Sequence, residues 1–469
     1  MTSNVSFMQE LEQTLNPSIV HLDAVTKEMH SADALNPARA YYTTSGAWAI
    51  PLAVLTPTST TEVVTAMRLA NKHEVPVVPF GGGTGVMGAA VPPQGSLVID
   101  LKNLNHIRSI STEDRTAWVE SGVVLKNLND VLNERGLMLG HDPWSTPIAT
   151  VGGAISTDGV GYRAARYGSM GTQVLGLEVV LPSGDLLTTK PVPKNASGPR
   201  LESLFIGAEG TFGIITAAAL RVFQLPEERH FATYSFSSFD DGFLAVTAMY
   251  GIGLKPAVTD LTEEPTHTGE IETLLYLTYE GYREEVAAQE VRVAQICREH
   301  RGIDIGPERT QEYWAKRHES GERYKKEMLP LLPRERWTRR SARHEHWDYL
   351  HLALPISKVL SFKQQAETLC REAGISIVES AIWTEPELFS MIMTQTSIPG
   401  QSENLFQATV DQILKLAQDM DGTIEYCHGV GLKLSHLIDR EWGSGLKTAR
   451  SLKKALDPRH VMNPGKLGL

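Results

Sequence analysis

The chain reads as an α+β protein built in two parts, and three observations predict it. Up to about residue 222, short β-branched runs break repeatedly into glycine-rich segments, as buried strands do when they open into loops that approach something closely. From roughly Pro226, strands with alternating apolar residues take turns with long charged helices, the texture of a separate α+β unit. The strongest glycine segment is followed by Ala89-Ala90-Val91-Pro92-Pro93-Gln94-Gly95, which cannot carry the crossover helix of a doubly wound dinucleotide fold.

That segment is Val75 to Gly88. An apolar run ends in Phe80-Gly81-Gly82-Gly83-Thr84-Gly85, and each glycine costs about 0.5 to 1 kcal/mol relative to alanine inside regular structure. A loop whose exposed N–H groups cradle a phosphate offsets such a cost. Gly83, Gly85 and Gly88 also spell G-x-G-x-x-G, with Asp100 near the position of a ribose-binding acid, but the prolines demote that Rossmann reading to a minor alternative.

Taken in order, Glu10 to Leu15 is predicted as a short helix and Ala49 to Leu55 as a strand. Ser59 or Thr60 caps a helix over Glu62 to His73, whose apolar stripe is Val63, Val64, Met67, Leu69 and Ala70. Strands follow at Ser96 to Leu101 and Ala117 to Ser121, then a helix over Leu125 to Arg135. Thr150-Val151-Gly152-Gly153-Ala154 repeats the strand-to-glycine theme and runs on through Ser156, Thr157 and Gly161. Two such surfaces in one domain suggest one long ligand. Val174 to Leu181 and Leu186 to Thr189 flank Pro182-Ser183-Gly184-Asp185 as a hairpin. A third glycine segment, Gly207 to Gly213, opens the strand that runs to Val222. In the second part, Leu274 to Tyr279 and His351 to Leu354 read as strands, and Glu284 to His300 and Gln407 to Met420 as helices. A short strand is expected before Glu425-Tyr426-Cys427-His428-Gly429-Val430-Gly431, and a final helix ends at Leu456. No internal repeat is visible.

The 469 residues predict two or three domains with ample core, and 42% apolar with 21% charged residues predicts a globular class. A net charge of −11 argues against nucleic acid, which needs a basic surface. Cys297, Cys370 and Cys427 are scattered and odd in number, so neither disulfides nor a zinc knuckle is implied. With no apolar stretch long enough to span a bilayer and no signal-like amino terminus, a cytoplasmic protein is expected.

With its glycine segments assembled, the chain resembles flavoproteins of the vanillyl-alcohol-oxidase type. The motifs are Pro51 to Val63, Pro79 to Gly85, Asp142-Pro143 through Gly153, Tyr167-Gly168, Glu209 to Thr216, His428-Gly429-Val430-Gly431 and Asn463-Pro464-Gly465-Lys466, in family order. The resemblance implies an FAD-binding domain of the PCMH type at 1–225, a ferredoxin-like α+β substrate domain of FAD-linked oxidases at 226–420, and a segment at 421–469 returning to the first. It implies that Phe80, Gly81, Gly82, Gly83, Thr84 and Gly85 bind the FAD pyrophosphate. Pro143, Ser145, Thr150, Gly152, Gly153, Ser156, Thr157 and Gly161 would line the rest of the cofactor, Glu209, Gly213 and Ile215 its adenine half, with Asn463 also in the binding set. Some relatives tether FAD through a histidine where this chain has Thr84, so non-covalent FAD is expected.

The flavour is that of 2-hydroxy-acid dehydrogenases and oxidases, with alkyl-dihydroxyacetone-phosphate synthase as the nearest competitor. The implied reaction moves a hydride from a hydroxylated small molecule to flavin while a base takes the hydroxyl proton. His428, with an ordinary pKa near 6.5, is the candidate base. Tyr426, Lys433 or one of Arg339, Arg340 and Arg343 is the candidate for orienting the substrate, since an arginine fork clamps a carboxylate. The metal-using relatives carry a histidine-rich signature where this chain has Ser380-Ala381-Ile382-Trp383-Thr384-Glu385, and a glutamate where it has Cys427; no metal is therefore expected. The synthase reading lacks its run of histidines, and its flavin-side arginine is replaced by Asp260. A non-redox flavin transferase and a flavin-binding subunit without chemistry are the alternatives. The expected partners are a small-molecule substrate, an electron acceptor of unspecified kind and, as an option, a second copy of the chain in a homodimer.

Overall fold

The structure, a computed structural model, describes residues 2–36, 49–266, 268–341, 345–396 and 404–469. Among the described residues the strands form four sheets, a two-stranded pair of Leu137–Met138 with Phe223–Gln224 and three larger ones that organise the fold. The first has the order Val20–His21, Ala53–Leu55, Leu97–Asp100, Val77–Phe80. Its last three strands in that order are parallel, with Ala53 and Val77 both in register with Leu97, and Val20–His21 pairs antiparallel at the other edge. Helix Thr60–His73 is the crossover between two of them, started by Ser59, whose side chain accepts from the Glu62 N–H, and stopped at Glu74 in a left-handed conformation. Its Val63, Ala66, Met67 and Ala70 pack on Ala53, Leu55, Val77 and Ile99, joined by Phe7 and Leu11 of helix Thr2–Thr14, which is longer than the sequence pattern suggested.

The second sheet is antiparallel, in the order Ile107–Ser111, Thr116–Glu120, Ile214–Arg221, Val174–Val180, Leu186–Thr188. The expected hairpin is present, with Val180 opposite Leu186 and Gly184 at φ +82° in the turn.

The third sheet has seven antiparallel strands and belongs to the second part of the chain, which starts it at Glu228–Phe236. Strand, helix, strand, strand, helix occurs twice: Glu228–Phe236, Phe239–Gly251, Val258–Pro265, Ile271–Gly281, Arg283–Glu299, and then Glu345–Ala353, Ile356–Glu372, Ser376–Trp383, Leu388–Thr396, Asn404–Asp419. The two units meet where Asp260 lies opposite Trp383 and Leu261 opposite Ile382. The sequence shows no repeat because this topology asks only for matching burial patterns, not for matching residues.

Two local expectations are corrected. Val151–Ser156 is a helix rather than a strand end: the Thr150 side chain accepts from the Gly153 N–H, and the glycines let the turn sit against Ser121, whose Cβ would lie 2.7 Å from a Cβ at Gly152. No strand precedes Glu425; the chain from Asp421 to Gly431 is turn and coil. The carboxy-terminal residues run back to the first sheet, where the Val77 N–H donates to Val461 O at 2.6 Å and the Asn463 N–H to Val77 O at 2.8 Å. Among the described residues no helix is long and apolar enough to cross a membrane.

Candidate active site

A cavity of about 510 Å³ lies between the glycine loops and the seven-stranded sheet. From the first part it is lined by Phe80 to Gly85, Pro143, Ser145, Thr150, Gly152, Gly153, Ser156, Thr157, Glu209, Gly213 and Ile215. These residues, predicted from three separated segments, are brought to one surface. The glycines are sterically required there: a Cβ on Gly81 would sit 2.6 Å from Thr150 Oγ1, and one on Gly82 2.5 Å from the Ile148 carbonyl oxygen. The loop thus rests its backbone against 148–153 and keeps the facing side free of side chains, which suits a pyrophosphate-bearing ligand.

Gly161 and Asn463 do not line this cavity. Gly161 packs on the Asp142 backbone, whose N and C atoms would lie 2.7 Å from its Cβ. Buried Asn463 donates from Nδ2 to the carbonyls of Ala89 at 2.9 Å and Glu209 at 2.7 Å, so it fixes the loops behind the cavity. Asp100, the Rossmann acid of the minor alternative, accepts from His30 Nε2 at 2.9 Å instead of facing the cavity.

From the second part the cavity wall takes Ser320, Tyr324, Trp347, Tyr349, His351, Trp383, Cys427 and His428, and Tyr162 joins them from the first. Trp347, Tyr349 and His351 share one face of strand Glu345–Ala353 by its two-residue period. The His428 ring is hydrogen-bonded at Nε2, 3.7 Å from Cys427 Sγ, while Nδ1 lies 3.5 Å from Glu425 Oε1, close enough for charge interaction but without a hydrogen bond. Glu425 Oε1 also accepts from the N–H of Cys427 at 2.8 Å and of His428 at 2.9 Å. Burial opposes the Glu425 charge, but His428, His351 and these N–H groups outweigh it and hold the carboxyl down at about 2. Burial likewise pulls the His428 imidazole down, while Cys427 and Glu425 carry it well above its ordinary value. The loop is pinned from the first part by Glu209, which accepts from the N–H of Val430 at 2.6 Å and of Gly431 at 2.9 Å. Gly429 and Gly431 have positive φ, and a Cβ on either would collide with Glu209 or with the Met87 carbonyl.

The other orienting candidates lie elsewhere. Lys433 is buried in an ion pair with Asp348 at 2.9 Å, because an unpaired charge at that depth would be expensive. Tyr426 does not line the cavity; its ring stands edge-on to His351 at 5.4 Å. Arg339 is exposed, and the Arg340 side chain and Arg343 lie outside the described residues.

The expectation that metal ligands are too few also needs correction. His351, Glu425 and His428 each place one ligand atom within 4.8 Å of the others. His351 comes from strand Glu345–Ala353, 74 residues before Glu425 and outside the Ser380-to-Glu385 stretch considered in the sequence, so spacing did not reveal it.

Residues 51–190 match the family description "FAD binding domain", and residues 225–467 match "FAD linked oxidases, C-terminal domain". The chain belongs to the FAD-linked oxidases. Relatives of this FAD-linked oxidase include the glycolate oxidase subunit GlcD of Bacillus subtilis, 28% identical across 89% of each chain. Another is the mitochondrial D-lactate dehydrogenase [cytochrome] of Arabidopsis thaliana, 30% identical across 89% of this chain and 73% of that one. A solved structure of alkyldihydroxyacetonephosphate synthase shares the fold with a TM-score of 0.79 at 19% identity, covering 98% of this chain and 86% of that one. FAD is the cofactor, and the architecture is the two-domain fold of this family.

Proposed function

We propose that this FAD-linked oxidase removes a hydride from the carbinol carbon of a small hydroxylated molecule, with His428 as the base. Bound FAD supplies the two-electron sink that takes the hydride. Phe80 to Gly85 and the amino end of helix Val151–Ser156 hold the cofactor without a covalent tether, since Thr84 offers no nucleophilic ring nitrogen. His428 receives the hydroxyl proton on its imidazole, and the Glu425 carboxylate beside Nδ1 stabilises the resulting imidazolium. Because the imidazolium is favoured well above the ordinary histidine range, the base form grows with rising pH and the rate rises with it.

The observation that supports this reading most is His428 itself: its imidazole is on the wall of the cavity that the glycine loops line, and the Glu425 carboxylate is at its other nitrogen. The named substrates of the two relatives, glycolate and D-lactate, both carry a hydroxyl on the reacting carbon, which agrees with the reaction class. Anaerobic mixing of the FAD-loaded protein with a panel of alcohols and hydroxy acids should bleach the yellow flavin for at least one member, and His428→Ala should abolish it. Silence across the panel, or bleaching unaffected by His428→Ala, overturns the proposal.

A further inference from the structure

The segment after helix Ala24–Met29 returns to the glycine loop, where the Ala34 N–H donates to the Gly85 carbonyl at 2.7 Å. Asp33 lies on the cavity wall there, in the company of Gly85 and Glu209, with 3% of its surface exposed. Its two carboxyl oxygens differ. Oδ1 accepts from the Leu35 N–H at 3.0 Å and closes a turn. Oδ2 is buried, has no hydrogen-bond partner among the described residues, and would stand 3.3 Å from a Cβ on Gly85. A negative charge on such an oxygen has neither water nor a close donor to stabilise it, which favours the neutral acid.

Glu209, the second carboxyl on this wall, is the opposite case. Its Oε1 accepts from the Val430 N–H at 2.6 Å and its Oε2 from the Gly431 N–H at 2.9 Å. Burial raises Glu209 too, yet a proton on either oxygen would displace one of these donors. Lys466, 1% exposed, donates to the Val91 carbonyl at 2.9 Å and attracts both acids, so it offsets one negative charge of the two. On the same segment as Asp33, His30 is bonded to Asp100 at 2.9 Å. Burial pushes the Asp33 carboxyl up to about 6, while the amides of Leu35, Ala90 and Gly88 and the Lys466 charge pull the other way. The diphosphate of FAD brings further negative charge to this wall and so works against a carboxylate on it.

We propose that FAD is held by the neutral form of Asp33: the cofactor binds the protein that carries a proton on Oδ2, so that FAD binding and proton uptake are coupled at this residue. The coupling requires FAD in the cavity and is independent of the substrate that is oxidised. At low pH the acid form is already present and binding is tightest; as pH rises past the Asp33 pKa, each further unit weakens FAD binding by up to about tenfold.

FAD release on dilution of the full-length FAD-loaded protein, read from the rise in flavin fluorescence between about pH 5.5 and about pH 8, gives the dissociation constants of the native protein and of Asp33→Asn. Asparagine keeps an oxygen for the Leu35 turn and is neutral throughout. The native constant should rise roughly tenfold or more from about pH 6 to about pH 8. Asp33→Asn should match the native protein at the lower pH and bind FAD roughly tenfold or more tighter than it at the higher. Glu209 and Lys466 are present in both proteins, so that difference belongs to Asp33. The same pH dependence in the two proteins overturns the proposal, and so does weaker binding by Asp33→Asn at both ends of the range, the result expected of an ionised Asp33 that accepts from the cofactor. Far-ultraviolet circular dichroism and melting are followed on the same samples; where the amide does not fold, Asp33→Ser, which keeps a hydroxyl for the turn, is judged by the same comparison.

Discussion

Replacing Glu425 by Gln tests one of the two neighbours, Cys427 being the other, that hold the proposed base in its charged form. The exchange keeps an oxygen for the N–H groups of Cys427 and His428 and removes a buried negative charge 3.5 Å from His428 Nδ1. At an effective dielectric near 20, a unit charge at about 4 Å is worth about 4 kcal/mol, the upper end of what an opposite charge at this range does to a pKa, about one to three units. The imidazolium loses that support, so the His428 pKa should fall toward its ordinary value. Since the base acts deprotonated, the acidic limb of the kcat/KM profile should move to lower pH by the same one to three units. The assay is the anaerobic rate of flavin bleaching as a function of pH, with flavin content and far-ultraviolet circular dichroism measured on the same samples. An acidic limb that stays in place in a folded, fully loaded Glu425→Gln protein refutes the assignment of His428 as the group that titrates.

Gly82→Ala should yield folded protein with little or no flavin, because its Cβ would press on the Ile148 carbonyl at 2.5 Å and push the loop into the cavity; normal yellow colour after reconstitution would count against the loop as the cofactor cradle. Asp142→Asn should lower unfolding stability through loss of the contacts to Arg317 at 2.9 Å and His318 at 2.8 Å, which tie the two parts together, and to Arg163 at 3.5 Å within the first part. Arg317 and His318 keep some water, so the loss should fall at or below the low end of the roughly 3 to 5 kcal/mol of a fully buried pair, read from the denaturant midpoint. Metal analysis of the purified protein should find less than one zinc per chain, and a chelator should leave bleaching unchanged, because Glu425 already serves two N–H groups and the imidazole; a stoichiometric metal lost together with activity would make His351, Glu425 and His428 ligands rather than a proton-transfer group.

What the sequence determined by itself is the set of features whose cause is local. Glycines after a β-branched run marked the loop that lines the cavity, Ser59 marked the start of the crossover helix before it, and Pro182 to Asp185 marked a hairpin, because each depends on backbone freedom or capping within a few residues. The same chemistry misread Val151–Ser156, where glycine serves close packing on Ser121 inside a helix turn. Only the tertiary structure decided the company each side chain keeps: His351 with His428, Asp142 with Arg317, and Tyr162 with Trp383. It also took Lys433 away from the cavity and into a pair with Asp348. The Trp347, Tyr349, His351 alternation was present in the sequence, yet nothing in it said which face of the strand lines the cavity. That depends on how two sheets dock, and docking is set by summed burial across the whole interface rather than by any one motif.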